Sequence, residues 1–105
     1  MAADKVIFRR WKDTQTIIAL FPEIPEGNRL QYVQSFEHIG QHGAADYQIV
    51  LNQTIPAKLS ESDVQDLIRE LESRGYTLRV GKRKDKWDDA VRMRRIQEMN
   101  AALRE

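Results

Sequence analysis

Hydrophobic and polar positions along the 105 residues fall into several short blocks of period two and one block of period 3.6. Lys5 to Lys12 sets Val6, Ile7, Phe8 and Trp11 among basic residues, and Thr16 to Phe21 is a second β-branched and aromatic run. The polar break Asp13-Thr14-Gln15 between them predicts a β-hairpin. Alternation puts Ile18 and Leu20 on one face of the second strand and Ile17, Ala19 and Phe21 on the other. A strand apolar on both faces belongs inside a sheet that is covered on each side. Phe21-Pro22 is expected to end it, because proline has no amide hydrogen for the ladder.

Pro22 to Asn28 reads as a connecting loop, with two prolines and a Gly27-Asn28 turn signal. Leu30 to Ile39 alternates again and predicts a third strand. His38-Ile39-Gly40-Gln41-His42-Gly43-Ala44-Ala45-Asp46 then reads as a long hairpin connection whose glycines supply positive φ values. Tyr47 to Thr54, with Ile49, Val50 and Leu51, reads as a fourth strand closed by Pro56.

The helical block follows. Ser60 is placed to cap it, Leu59 and Val64 to staple its entry, and Val64, Leu67, Ile68 and Leu71 form one apolar stripe. Gly75 takes the C′ place, with Tyr76 folding back towards Leu71 as in a Schellman ending. Tyr76, Leu78 and Val80 alternate as a fifth strand, and Gly81 ends it. Beyond a charged linker, Trp87 to Leu103 predicts a second helix whose apolar residues change side. Trp87, Ala90 and Val91 lie on one face, while Met93, Ile96, Met99 and Leu103 drift to the opposite one. The expected order is β-β-β-β-α-β-α, an α+β fold with a small, mainly antiparallel sheet, one packed helix and a C-terminal helix. Residues 1–81 would form the compact domain and residues 82–105 a basic linker and helical extension.

Composition narrows the chemistry. A net charge of +1 with 31% charged residues fits a soluble domain and neither a polyanion mimic nor a strongly basic binder. The absence of cysteine removes disulfides, thiolate metal sites and cysteine nucleophiles, and fits a reducing cytoplasm. No apolar leader is expected from the first residues, and no run approaches the roughly 20 apolar residues of a membrane-spanning helix. A cytoplasmic protein without membrane association is therefore expected.

Three features could carry function. His38 and His42 are the only two histidines, with Asp46 nearby. One histidine could act as a general base oriented by Asp46 or Glu37, in a hydrolase or a metal site. On one straight strand, however, the two rings would stand about 13 Å apart, too far for one ion. A plain turn, or a binding loop using His38, Gln41, His42, Asp46 and Tyr47, is the better reading; no catalytic residue, metal ligand or cofactor is assigned. Second, residues 82–105 hold eight Lys/Arg against five Asp/Glu, net +3, while residues 1–81 hold nine against eleven, net −2. Lys82, Arg83, Lys84, Lys86, Arg92, Arg94 and Arg95 could meet phosphates or a protein partner, with Trp87 stacking on a base. The plain alternative is a solvated helix with charge pairs such as Asp88 with Arg92. Third, Trp11 beside Arg9, Arg10 and Lys12 reads as a core residue or a lid over the sheet edge, with a recognition surface of an aromatic and arginines as the alternative.

Val6-Ile7-Phe8-Arg9-Arg10-Trp11-Lys12-Asp13, Ile18-Ala19-Leu20-Phe21-Pro22 and His38-Ile39-Gly40-Gln41-His42-Gly43-Ala44-Ala45-Asp46-Tyr47 resemble a group of short bacterial proteins of no assigned activity, associated with plasmids, phages and gut bacteria. The resemblance covers roughly residues 5–80 and leaves the C-terminal extension outside. Asp13-Thr14-Gln15 departs from the Asp-Gly turn of that pattern. It implies a mobile-element setting and a small accessory protein that binds a host or defence component.

The function expected is accordingly a non-catalytic accessory protein that binds a protein partner or itself, with Ile96, Met99 and Leu103 as the self-association stripe. The alternative is a nucleic-acid-associated protein using residues 82–95. A hydrolase or metal site at His38, His42 and Asp46 comes third.

Overall fold

Asp4–Trp11 (β1) and Ile17–Pro25 (β2) pair antiparallel, with Ile7 opposite Leu20 and Arg10 opposite Ile17. This is the hairpin expected around Asp13-Thr14-Gln15. Gln15 closes its turn with a φ of 65°, and its amide donates to Trp11 O at 2.9 Å. The computed structural model describes residues 3–37, 41–81 and 86–103, without the side chains of Gln41, His42 and Lys86. After β2 come Tyr32–Glu37 (β3), Gln41–Asp46 (β4), Tyr47–Gln53 (α1), Thr54–Pro56 (β5), Ser62–Ser73 (α2), Leu78–Val80 (β6) and Lys86–Leu103 (α3). The sheet runs β4-β3-β2-β1-β5, and β6 lies parallel to β1 at residues 4–6. The fold is α+β.

The two-faced reading of β2 holds. Ile17, Ala19 and Phe21 join Val6, Phe8 and Phe36 under Val64, Leu67 and Leu71 of α2. Ile18 and Leu20 join Ile7, Val33 and Ala45 on the opposite face, under Tyr47 and Val50 of α1. Each face of the sheet thus has its own apolar core.

Four expectations are corrected. Pro22 interrupts the ladder without ending the strand: β2 pairs with β3 as far as Phe21–Gln34, bulges, and resumes at Pro25–Val33. Residues Gln41 to Asp46, read as a turn, form a full strand against β3, with Gly43 opposite Ser35 and Gln41 opposite Glu37. Residues Tyr47 to Gln53, read as a strand, are helical. Asp46 decides this, because its side chain accepts the Ile49 amide and caps the helix N-terminus. At the other end, the Arg9 guanidinium donates to Leu51 O and Thr54 O at 3.0 and 2.8 Å, collecting carbonyls the helix leaves unpaired. The N-cap of α2 is Glu61 in place of Ser60, and Leu59 remains largely exposed against the expected staple.

The Schellman ending of α2 is as expected. Gly75 has φ +97°, its amide donates to Glu72 O at 3.0 Å, and the Tyr76 amide donates to Leu71 O at 3.2 Å. At the start of α2, Arg10 bonds Asp63 at 3.0 and 3.1 Å and also meets Glu61, tying the hairpin to the helix. The Arg10 hydrogen bond holds the Asp63 carboxyl below the usual aspartate range. A depressed carboxyl contributes stability above its unfolded pKa and loses it as pH falls through the folded value. Arg10→Ala should therefore cost about 1–2 kcal/mol at neutral pH. In urea titrations the gap from the parent chain should narrow as pH drops below about 3.9; a gap independent of pH would contradict this account.

The C-terminal helix differs most from expectation. Its buried stripe is Asp88, Arg92 and Ile96, at 1%, 2% and 4% exposure, while Trp87 is 65% exposed. Positions i, i+4 and i+8 share a face, but two of the three here are charged, so hydrophobic phase misplaces the stripe. Lys5 Nζ donates to Asp88 Oδ1 at 2.7 Å, and the Tyr47 hydroxyl donates to Asp88 Oδ2 at 3.4 Å. Arg92 donates to Pro22 O at 2.6 Å and Leu30 O at 2.8 Å, and Arg95 to Glu23 O at 3.0 Å. The β2 bulge thus leaves carbonyls without a ladder partner, and α3 supplies the arginines that satisfy them. The expected Asp88–Arg92 pair is replaced by Arg92–Asp89, 2.6 Å apart.

Candidate functional site

Two neighbouring hollows form on the α1 side of the sheet. The larger, about 630 Å³, lies between the β1–β2 turn at Lys12 to Thr16 and the end of α1 at Asn52 and Gln53. The smaller, about 340 Å³, has Ser35, Gly43 and Ala45 as its floor and Val50 as one wall. Trp11 and Glu37 line both, so the two form one groove that crosses Trp11 and ends at β4. The hollow over β4 exists because Gly43 has no side chain and Ala45 only a methyl group to fill it.

Trp11 is half-buried and packs on the core beneath while facing the groove. Hydroxyls along the groove are committed within the fold: Ser35 Oγ donates to Gly43 O at 3.0 Å, and Thr14 and Thr16 bond each other at 2.8 Å. Among the described residues no buried side-chain N or O lacks a partner, and no group of three or more metal-ligating residues gathers. The groove offers an aromatic face, mixed charge from Lys12, Asp13 and Glu37, and a bordering strand edge.

That edge is the second half of the site. Among the described residues β4 pairs only with β3. The Tyr47 amide donates to Gln31 O at 2.9 Å, which fixes the alternation of the antiparallel ladder. Ala45 and Gly43 then turn their backbone groups towards β3, and His42, Ala44 and Asp46 turn theirs outward. The other side of the sheet is closed differently, by the three-residue strands β5 and β6, with Pro56 in β5. Short strands and proline are ordinary protections of an edge. Gln41 to Asp46 contains no Lys, Arg or Pro.

The residues singled out by sequence divide as follows. Trp11 and Asp46 come together at the groove. Tyr47 does not: it is buried beside Asp88, and burial together with that carboxylate pushes its phenol up. Tyr47 and Asp46 border a separate hollow of about 310 Å³ with Arg92 and Leu30. His42 and Gln41 hold register positions on β4, and His38 lies outside the described residues. His42 and Asp46 are on one continuous strand, about 13 Å apart along it, while His38 and Gly40, on which a histidine site there would depend, lie outside the described residues.

Of the basic set, Lys82, Arg83 and Lys84 lie outside the described residues, and the Lys86 side chain is not described. Arg92 is corrected: it is buried over the Tyr47 ring, 5.4 Å from its centroid, and is withdrawn from phosphates. Arg94, Arg95 and Trp87 remain on the surface. Of the expected self-association stripe, Ile96 is buried against the body, while Met99 and Leu103 are exposed. Sequence reasoning missed Ser35, Gly43 and Ala44, and offered Glu37 only as a group orienting a histidine; the signal was the run of small residues, which reads as a turn until its register is known.

Comparison of the chain with protein-family models, with curated proteins and with solved structures finds no match. Among the described residues no helix is long and apolar enough to cross a membrane.

Proposed function

We propose that the chain is a small, non-catalytic accessory protein that binds a protein partner through the β4 edge and the groove beside it. The observation that carries this reading is the outward row of backbone groups at His42, Ala44 and Asp46, on an edge without Lys, Arg or Pro. An extended segment laid against such an edge gains main-chain hydrogen bonds, and a neighbouring pocket selects its side chains. Trp11 and the small residues of β4 provide that pocket. The mobile-element setting implied by the sequence resemblance suits a small binder of a host or defence component.

Ala44→Pro is the decisive variant. The Ala44 amide faces outward, so proline removes an edge donor while leaving the β3 ladder in place. Selection of random displayed peptides on the full chain should enrich extended sequences that bind the parent and bind Ala44→Pro at least about tenfold more weakly. Enrichment of nothing, or of peptides indifferent to the substitution, would overturn the proposal.

A further inference from the structure

We infer that the strand which β4 accepts is β4 of a second copy of the chain, in one register, centred on Ala44. This inference rests on the edge-binding reading above and names its partner.

Outward-facing residues of an antiparallel edge pair with outward-facing residues of the incoming strand. On β4 these are His42, Ala44 and Asp46. A two-fold axis through Ala44 pairs it with its own copy, and places the His42 position opposite Asp46 of the other chain on both sides. By register a histidine position faces an aspartate position at each end, and no pair of like charges arises. Asp46 has already given one carboxylate oxygen to the Ile49 amide, and the other can accept a bond.

Size fits as well. Residues paired across a two-fold axis face themselves, with Cα atoms about 5.5 Å apart in a hydrogen-bonded pair. A bulky or charged side chain there would meet its own copy at close range. Alanine does not, and the adjoining pairs match Gly43 with Ala45. The Asp46 carbonyl already serves the first turn of α1, as an N-cap carbonyl does. Two bonds between the Ala44 residues and one from each Asp46 amide to the His42 carbonyl remain, about four new backbone bonds. Such a joint is isologous and its area is small, so association is concentration-dependent and reversible.

The chain has no cysteine, so a single introduced one reports the register directly. Ala44→Cys should form a disulfide-linked dimer under mild oxidation, because a Cα separation of about 5.5 Å suits the bond. Gln48→Cys, exposed on α1, should link far more slowly. In sedimentation equilibrium the parent chain should associate between about 10 µM and 1 mM. His42→Lys should preserve that association, and His42→Asp and Ala44→Pro should weaken it at least about tenfold. Near-ultraviolet circular dichroism of each variant verifies folding. A strictly monomeric parent, or Ala44→Cys linking no faster than Gln48→Cys, would overturn the second-copy inference. If the displayed peptides still bind in that case, edge binding stands and only this inference falls. If they do not, both fall.

Discussion

Asp88→Ala should lower the stability of the chain by about 3–5 kcal/mol, as measured by urea denaturation. Removing the carboxylate leaves the Lys5 ammonium with a side chain only 8% exposed and deprived of its 2.7 Å partner. The cost is that of a charge stranded away from water. It is a large share of the roughly 5–15 kcal/mol that holds a domain of this kind together. The ion pair itself is worth much less than its disruption. Replacing both partners by apolar residues of similar size, Lys5→Met with Asp88→Leu, should return stability to within about 1 kcal/mol of the parent or above it. If Asp88→Ala cost under about 1 kcal/mol, the pair would not hold α3 on the sheet. If the double replacement were as damaging as the single one, the pair would contribute more than the literal cost of burial.

Phe21→Ala should be comparably severe, about 3–5 kcal/mol, for a different reason. Phe21 is fully buried on the α2 face, inside the cluster with Phe36, Leu67 and Leu71. It also stacks on Tyr76, with ring centroids 5.1 Å apart. Truncation removes apolar area from the core and leaves a void, since α2 is pinned at one end by Arg10 and at the other by the Gly75 turn. The urea midpoint should fall with little change in slope, the sign of lost stability without altered compactness. No second substitution of opposite charge can restore it, whereas Phe21→Leu should recover much of the loss. A Phe21→Ala cost below about 1.5 kcal/mol would mean that this face can collapse around the gap.

The sequence revealed the elements whose own pattern defines them. Ile17 to Phe21 shows two apolar faces without any knowledge of its neighbours, and the stripe Val64, Leu67, Leu71 with Gly75 defines a helix and its end. Failures came where long-range partners decide. Gly43-Ala44-Ala45 has no strand preference of its own and is a strand because β3 lies in register beside it. Ile49-Val50-Leu51 prefers a strand, but α1 is only seven residues long, capped by Asp46 and completed by Arg9 from a distant strand. The buried face of α3 is Asp88-Arg92-Ile96, invisible to a hydrophobic period because its partners, Lys5 and the carbonyls of Pro22 and Leu30, are remote. The groove was partly legible through Trp11 and Asp46. Its floor was not, because small residues mark a hollow only after their strand has been placed.

The docking of α3 also has a consequence for the order of events in folding. Its bonds join Asp88 to Lys5, Arg92 to Leu30 and Pro22, and Arg95 to Glu23, across 83, 62, 70 and 72 residues of chain. Every one of these acceptors and donors is in place only after β1, β2 and the loop beyond them have closed. Contacts that span so much chain pay loop closure first and are rewarded late. The C-terminal helix is therefore the last piece to lock and the first to open. Native-state hydrogen exchange should find its amides opening at lower free energy than those of β1 and β2. A chain cut after Gly81 would not be the same body without an appendage; Lys5 would lose its carboxylate partner and the bulge carbonyls of Pro22 and Glu23 their arginines.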